Sequence, residues 1–306
     1  MNKITEKLLE VIADFKGSFE GAFNIRENGQ CVSSQSSENV KITAMPAGMG
    51  TEIRISSKAQ NETVYIPACV TKSDVNDLVY NDFYIEAGAN VTIIAGCGVH
   101  NDGEEEARHN GIHRFFVGKG AHVVYKEKHI GTGEGKGAKR IDPVTDINLE
   151  EDAVLEMETI QISGVDSTVK STNANLSARA KLIIHESIMT DDKETAKTDF
   201  VVNMNGEDSG VDLISRSVAK DSSYQEYRSI IRGNTRCTGH SECDAILVGN
   251  GRVSASPELF ASDTDASLIH EAAIGKIAGE QILKLQTLGL TEEEAEQKII
   301  DGFLKA

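Results

Sequence analysis

Gly88-Ala89-Asn90-Val91 recurs as Gly120-Ala121-His122-Val123, as Asp152-Ala153-Val154-Leu155 and as Arg179-Ala180-Lys181-Leu182. The alanines stand 32, 32 and 27 residues apart. In each phrase a small residue turns a corner and a β-branched or aliphatic residue opens a strand. A corner returning at such a period is the mark of a solenoid, in which each coil buries its inner face against its neighbours. A sandwich with regular turns would leave a similar trace.

Between and around these corners, apolar and polar residues alternate in short runs: Lys41–Thr43, Glu52–Ser56, Thr63–Ile66, Val91–Ala95, Val123–Lys126, Val154–Ile162, Lys181–Ser187, Phe200–Met204, Val211–Ala219, Gln225–Ile231 and Ala245–Val248. Period two with Gly, Asn and Asp at the corners reads as strand. The composition agrees: of 306 residues only 5% are aromatic, with no Trp and 27 Gly. Such a core is filled by Val, Ile and Ala.

Two stretches break the pattern. Ile4, Leu8, Val11, Ile12 and Phe15 recur at helical spacing and predict a short helix ending near Gly17. After residue 262, Leu268, Ala272, Ile274, Ile277, Ile282, Leu283 and Leu285 predict a helix that Gly289 can stop, and Thr291 with Glu294 forms a capping box for another. The expected organisation is an N-terminal helical segment (1–20), a β-solenoid core (21–261) and a C-terminal helical hairpin (262–306). So small a hairpin must pack on the β-body or on a partner.

The formal net charge of −17 argues against a nucleic-acid or anionic-membrane surface. No apolar run reaches a bilayer's width and the N-terminus lacks a secretory pattern, so a cytoplasmic location is expected. Five scattered cysteines (31, 69, 97, 237, 243) read as reduced thiols.

Three groups could carry chemistry. Cys97, His100, His109 and His113 lie within seventeen positions and have the donor types of a zinc or iron site; a metal-dependent hydrolase or lyase on a β-helix is the alternative they raise. On a strand, Cys97 shares a face with Val91, Ile93 and Ala95, as a core cysteine would. Cys237, His240 and Cys243 form the second group, and Cys243 shares a face with Ala245 and Leu247. The third is His270-Glu271, placed by this reading at the start of the C-terminal helix, where adjacent side chains diverge by about 100°. Gly131-Thr-Gly133-Glu-Gly135-Lys-Gly137 lacks a Gly-Lys-Ser/Thr ending and reads as a mobile corner loop, not a phosphate cradle.

Residues 236–304 taken together resemble the SufB/SufD family of iron–sulfur cluster assembly proteins. The matching phrases are Ser241-Glu-Cys243-Asp244-Ala245, Asp265 through Leu268-Ile-His270-Glu271-Ala-Ala-Ile-Gly275-Lys-Ile, Leu288-Gly289-Leu-Thr-Glu-Glu-Glu-Ala295 and Ile299-Ile-Asp-Gly302-Phe303. Ala95-Gly-Cys97, His113 and the Gly120 corner resemble the SufB branch, extending the likeness to about residues 80–306. The resemblance implies a right-handed parallel β-helix and a dimer whose subunits each bind an ABC-type ATPase (SufC) through the C-terminal helices. It implies a transient iron–sulfur cluster and iron at the subunit interface, with Cys243, His270 and Glu271 as ligands and Cys97 accepting sulfur from a cysteine desulfurase or other donor. A reduced flavin is the candidate electron source. His100, His109, His113, Cys237 and His240 stand as further candidate ligands. The family's Cys-Asp-Ser is here Cys243-Asp244-Ala245, which keeps the thiol and drops a hydroxyl. Having Cys243 and His270-Glu271 in one chain favours a homodimeric scaffold that is not itself an enzyme, ATP being hydrolysed by the partner.

Overall fold

A computed structural model describes residues 1–305. Helix α1 (Lys3–Ala13) precedes two antiparallel hairpins, β1 (Ala22–Glu27) with β2 (Gln30–Gln35) and β3 (Val40–Ala44) with β4 (Gly50–Ile55). The chain then winds through β5 (Gln60–Val70), β6 (Val75–Ile85), β7 (Asn90–His100), β8 (Ala107–Val117) and β9 (His122–Thr132). The next coils hold β10 (Lys139–Ile141), β11 (Val144–Leu149), β12 (Val154–Ser163), β13 (Ser167–Leu176), β14 (Lys181–Thr190) and β15 (Thr195–Met204). The last hold β16 (Ser209–Ala219), β17 (Tyr224–Gly233), β18 (Cys237–Leu247), β19 (Arg252–Ala261) and β20 (Ala266–Gly275), before helices α2 (Gly279–Gln286) and α3 (Glu292–Lys305).

The strands build two sheets, ordered β2-β1-β5-β7-β9-β12-β14-β16-β18-β20 and β19-β17-β15-β13-β10-β8-β6-β4-β3, with β11 joining β8 and β13 in the second. All pairings beyond the two hairpins are parallel, giving a β-solenoid of about eight turns.

The repeated corners explain the winding. Gly88, Gly120, Asp152 and Arg179 have φ of 74°, 65°, 59° and 57°, the left-handed conformation that reverses the chain. The alanine after each is fully buried, and its carbonyl accepts the strand-opening N–H of the next coil, at 2.8 Å from His122 and 2.9 Å from Val154 and Lys181. A fifth corner, Asp208-Ser209-Gly210-Val211, continues the ladder: the Gly210 N–H donates to the Ala180 carbonyl. Its Ser and Gly concealed it from a search for Ala.

One half of the interior is an apolar column of Val, Ile and Ala around the stacked rings of Phe83 and Phe115, 4.6 Å apart. Helix α1, capped by the Asn2 carboxamide, packs outside the first sheet. It lies on Gly96 and Gly98 of β7, and a Cβ at Gly96 would sit 2.8 Å from the Ile12 Cβ.

One expectation is corrected. Residues 266–275, read as the start of a helix, are strand β20, in register with β18 from Cys237↔Ala266 to Ile246↔Gly275. Over ten residues the helical and alternating patterns overlap, and β18 offers a complete row of backbone partners. The helices begin later, and the predicted capping box is present: Thr291 Oγ1 accepts from the Glu294 N–H while the Glu294 carboxylate accepts from the Thr291 N–H. The glycine-rich stretch is a corner loop, joining β9 to β10, and it is packed closely against the preceding coil. The Gly135 and Gly137 N–H groups donate to the carbonyls of Asn101 and Gly103, and Cβ atoms at Gly131, Gly133, Gly135 or Gly137 would overlap neighbouring backbone. Glycine is there because two coils touch backbone to backbone.

Candidate functional site

The interior opposite the apolar column is polar. Successive ladder partners Ala95, Glu127, Thr159, Glu186, Ser215, Cys243 and Ala272 form one register row along the first sheet, on its inward face. Beside it, Cys97 is the ladder partner of His129. The second sheet faces this row with His109 and His113 on β8, Lys170 on β13 and Tyr227 with Ser229 on β17.

At the Cys97 end, the Cys97 Sγ, a Glu127 carboxylate oxygen and a His129 ring nitrogen lie within 4.8 Å of one another, all buried. Glu127 accepts from the Tyr125 hydroxyl at 3.0 Å, and His113 Nε2 stands 3.8 Å away. Burial by itself would raise Glu127, but His129, His113 and Lys170 outweigh it and hold the carboxyl well below the usual range. Burial, reinforced by Glu127, pushes the Cys97 thiol well above its ordinary value. One coil earlier, Asp77 accepts from His109 Nδ1 at 3.0 Å and pairs with Arg26 at 3.4 Å. Burial raises Asp77, yet these partners keep it net low.

Burial pulls His113 down to about 4, against the opposing pull of Glu127 and with help from His109 and His129. Because the folded value lies below the unfolded one of about 6.5, the contribution is complete above that pH. It is lost as pH falls through about 4, for a total of about 3 kcal/mol. His113→Phe, in contact with Phe83, is expected to flatten the stability profile between pH 6.5 and 4. Urea unfolding across that range gives the answer, and identical slopes in the two proteins would remove His113 as the titrating group.

Midway, Lys170 Nζ donates to Glu186 at 2.8 Å and to Thr159 Oγ1 at 2.6 Å, and Ser215 donates to the other Glu186 oxygen. At the far end Cys243 is 1% exposed, and burial, then Glu186 and Asp244, push its thiol up to about 12. Tyr227 and Ser229 meet the Ser241 hydroxyl beside it.

The other candidate residues are divided. His270 lies on the inward face of β20 opposite Ser241, its Nδ1 buried without a partner, and burial lowers it. Glu271 points outward, since neighbours on a strand take opposite faces. There it meets Glu242 and His240, with ligand atoms within 4.8 Å of one another, while His240 Nδ1 also contacts Asp212 at 2.8 Å. Cys237 is buried six residues before Cys243, about 20 Å along the strand. His100 faces away from Cys97, at the corner with Asp102 and Thr132. The set Cys97, His100, His109 and His113 is therefore not gathered at one point.

Sequence reading missed Glu127, His129, Lys170 and Glu186. The signal was present: each holds the phase of buried apolar residues, as Glu127 and His129 follow Val123 and Tyr125, and Glu186 follows Leu182 and Ile184. A charge on the inward phase marks a polar interior.

Comparison with known proteins bears on this arrangement. Residues 72–303 match the family model described as SUF system FeS cluster assembly, SufBD core domain. The chain is 30% identical over 256 residues to an iron-sulfur cluster assembly SufBD family protein of Methanothermobacter thermautotrophicus, covering 81% of this chain and 61% of that one. It is 29% identical over 242 residues to one of Archaeoglobus fulgidus, covering 78% and 64%. The chain thus spans under two thirds of the length of these relatives.

Proposed function

The chain belongs to the SufB/SufD family of iron–sulfur cluster assembly proteins, and from that premise we propose that it is a scaffold that accepts sulfur at Cys97 and builds a cluster where two copies meet. The observation that carries the reading is the polar row that runs from Cys243 to Glu127, beside Cys97. Cys97 on β7 and Cys243 on β18 are five strand steps apart, about 24 Å along the solenoid. Between them lie Glu127, Thr159, Glu186 and Ser215, where folding alone would be served at least as well by apolar residues. Function is the better account of a charged interior.

The C-terminal end of the solenoid supports assembly there. β19 and β20 end their sheets with unpaired ladder edges, and Leu259, Phe260, Ile269 and Ile274 are exposed on them. Such edges call for a covering partner, and a second copy would place two Cys243 thiols near one seam. His270 faces the interior and Glu271 the outside, so a cluster using both takes ligands from more than one face of the strand. Thiolates suit iron and sulfur, while imidazole and carboxylate hold a cluster less firmly than four thiolates, as a product that must leave requires. Helix α2 buries none of its residues, and Leu283 and Leu288 are largely exposed. That uncovered apolar surface supports docking of a SufC-like ATPase on the C-terminal helices. Among the described residues no helix is long and apolar enough to cross a membrane.

Anaerobic reconstitution of the full chain tests the scaffold. With ferrous iron and free sulfide, the wild type is expected to develop a visible chromophore that Cys243→Ser loses for the most part. Cys97→Ser should retain it with free sulfide and lose it when a cysteine desulfurase with cysteine is the only sulfur source, a reduced flavin being added to supply the two electrons that turn persulfide sulfur into sulfide. An unchanged spectrum in Cys243→Ser removes that thiol from the site.

A further inference from the structure

We propose that the buried end of the polar interior is a metal site, in which Cys97, Glu127 and His129 bind one divalent transition-metal ion of borderline softness, ferrous iron or zinc. The site is separate from the cluster seam and stands whether or not Cys97 also receives sulfur.

Geometry carries the proposal. The three ligand atoms are mutually within 4.8 Å. A tetrahedral ion with bonds of about 2.0–2.3 Å sets its ligands about 3.3–3.8 Å apart, so closure shortens any one separation by at most about 1.5 Å, shared between two side chains. Cys97 and His129 are ladder partners on β7 and β9, and Glu127 is two residues before His129 on the same face. Rigid strands therefore present all three.

The second observation is a group of buried ring nitrogens without hydrogen-bond partners. His129 Nε2, His109 Nε2 and both nitrogens of His113 are orphaned although each residue is at least nine-tenths buried. His129 Nε2 is 3.3 Å from Glu127 but not aligned for a hydrogen bond. Each unmade bond of this kind costs about 1–3 kcal/mol, and so many gathered in one packed interior is unusual. A metal ion relieves the cost for His129, while His113 Nε2 stands 3.8 Å from Glu127 on the facing sheet, outside the three-ligand group. His109 is held by Asp77, the carboxylate–histidine arrangement that orients rings around metal centres. Thiolate, imidazole and carboxylate together select zinc or iron over calcium or magnesium.

Binding is a proton exchange. The ion takes the place of the Cys97 thiol proton, which leaves to solvent, and no electrons move. Affinity therefore rises with pH.

The test uses the reduced full chain, freed of metal by a chelator, with cobalt(II) as the spectroscopic probe and no sulfur donor, so that its outcome is independent of the scaffold reading. One equivalent per chain is expected, with a thiolate-to-cobalt charge-transfer band and release of about one proton. Cys97→Ser should abolish the band, and Cys243→Ser should leave it intact. Glu127→Gln and His129→Gln should weaken binding about 10–100-fold or more, the range that loss of even an outer-shell partner causes. Displacement by zinc, and anaerobically by ferrous iron, shows which ion the site prefers. Circular dichroism of each metal-free variant establishes that it is folded. Absence of stoichiometric binding in the wild type, or a band that survives in folded Cys97→Ser, overturns the proposal.

Discussion

Lys170→Met is expected to destabilise the solenoid by about 3–5 kcal/mol, the cost of leaving a buried charge without its counter-ion. The ammonium is the ionic partner of Glu186, and the two side chains are only 7% and 1% exposed. Once it is gone, the Glu186 carboxylate keeps Ser215 as its hydrogen-bond donor and has no cation, while Thr159 loses its contact. Methionine fills nearly the same volume, so the loss is electrostatic and not a cavity. Lys170→Met with Glu186→Leu should recover most of the stability, because removing both charges removes the uncompensated one. Urea unfolding of the three variants reads the effect. A loss below about 1 kcal/mol in the single variant would falsify the buried pair, since that is the size of an exposed one.

A second large effect is expected where the coils touch. At Gly131 a Cβ would overlap the carbonyl of Gly164, which itself has φ of 72°. Gly131→Ala must push two backbones apart, at about 2–3 kcal/mol. The same substitution at Gly302, inside α3 with open space around it, is expected to stabilise by up to about 1 kcal/mol through helix propensity. Opposite signs from one chemical change separate backbone contact from chain entropy. Thermal unfolding of the two variants measures it, and equal shifts would contradict the coil-to-coil packing.

The polar interior links these effects to function. Buried charges of this kind commonly add no more stability than an apolar filling would, and these lie between the two cysteines for which sulfur and cluster roles are proposed. Acid opposes the fold in two stages. His113 loses its contribution between pH 6.5 and about 4, and the depressed Asp77 and Glu127 lose theirs below the ordinary carboxylate range.

Much of this was legible in the amino-acid order. Corners demand a left-handed residue and a small one, and strands alternate, so four coils and the inward phase of Cys97 and Cys243 follow from neighbouring residues alone. The helix expected from Leu268 to Leu285 forms only in its later part, because residues up to Gly275 pair with β18, a partner that local periodicity cannot see. The three-way meeting at Cys97 was equally hidden. Glu127 and His129 reach it from 30 and 32 residues away, and the spacing between paired strand-opening positions varies: 32 from His122 to Val154, 27 to Lys181 and 29 to Gly210. Period and corner chemistry are short-range properties, fixed by dihedral preference and side-chain alternation. Register across coils depends on the length and packing of every loop between them, and so which buried groups meet was decided only when the solenoid closed on itself.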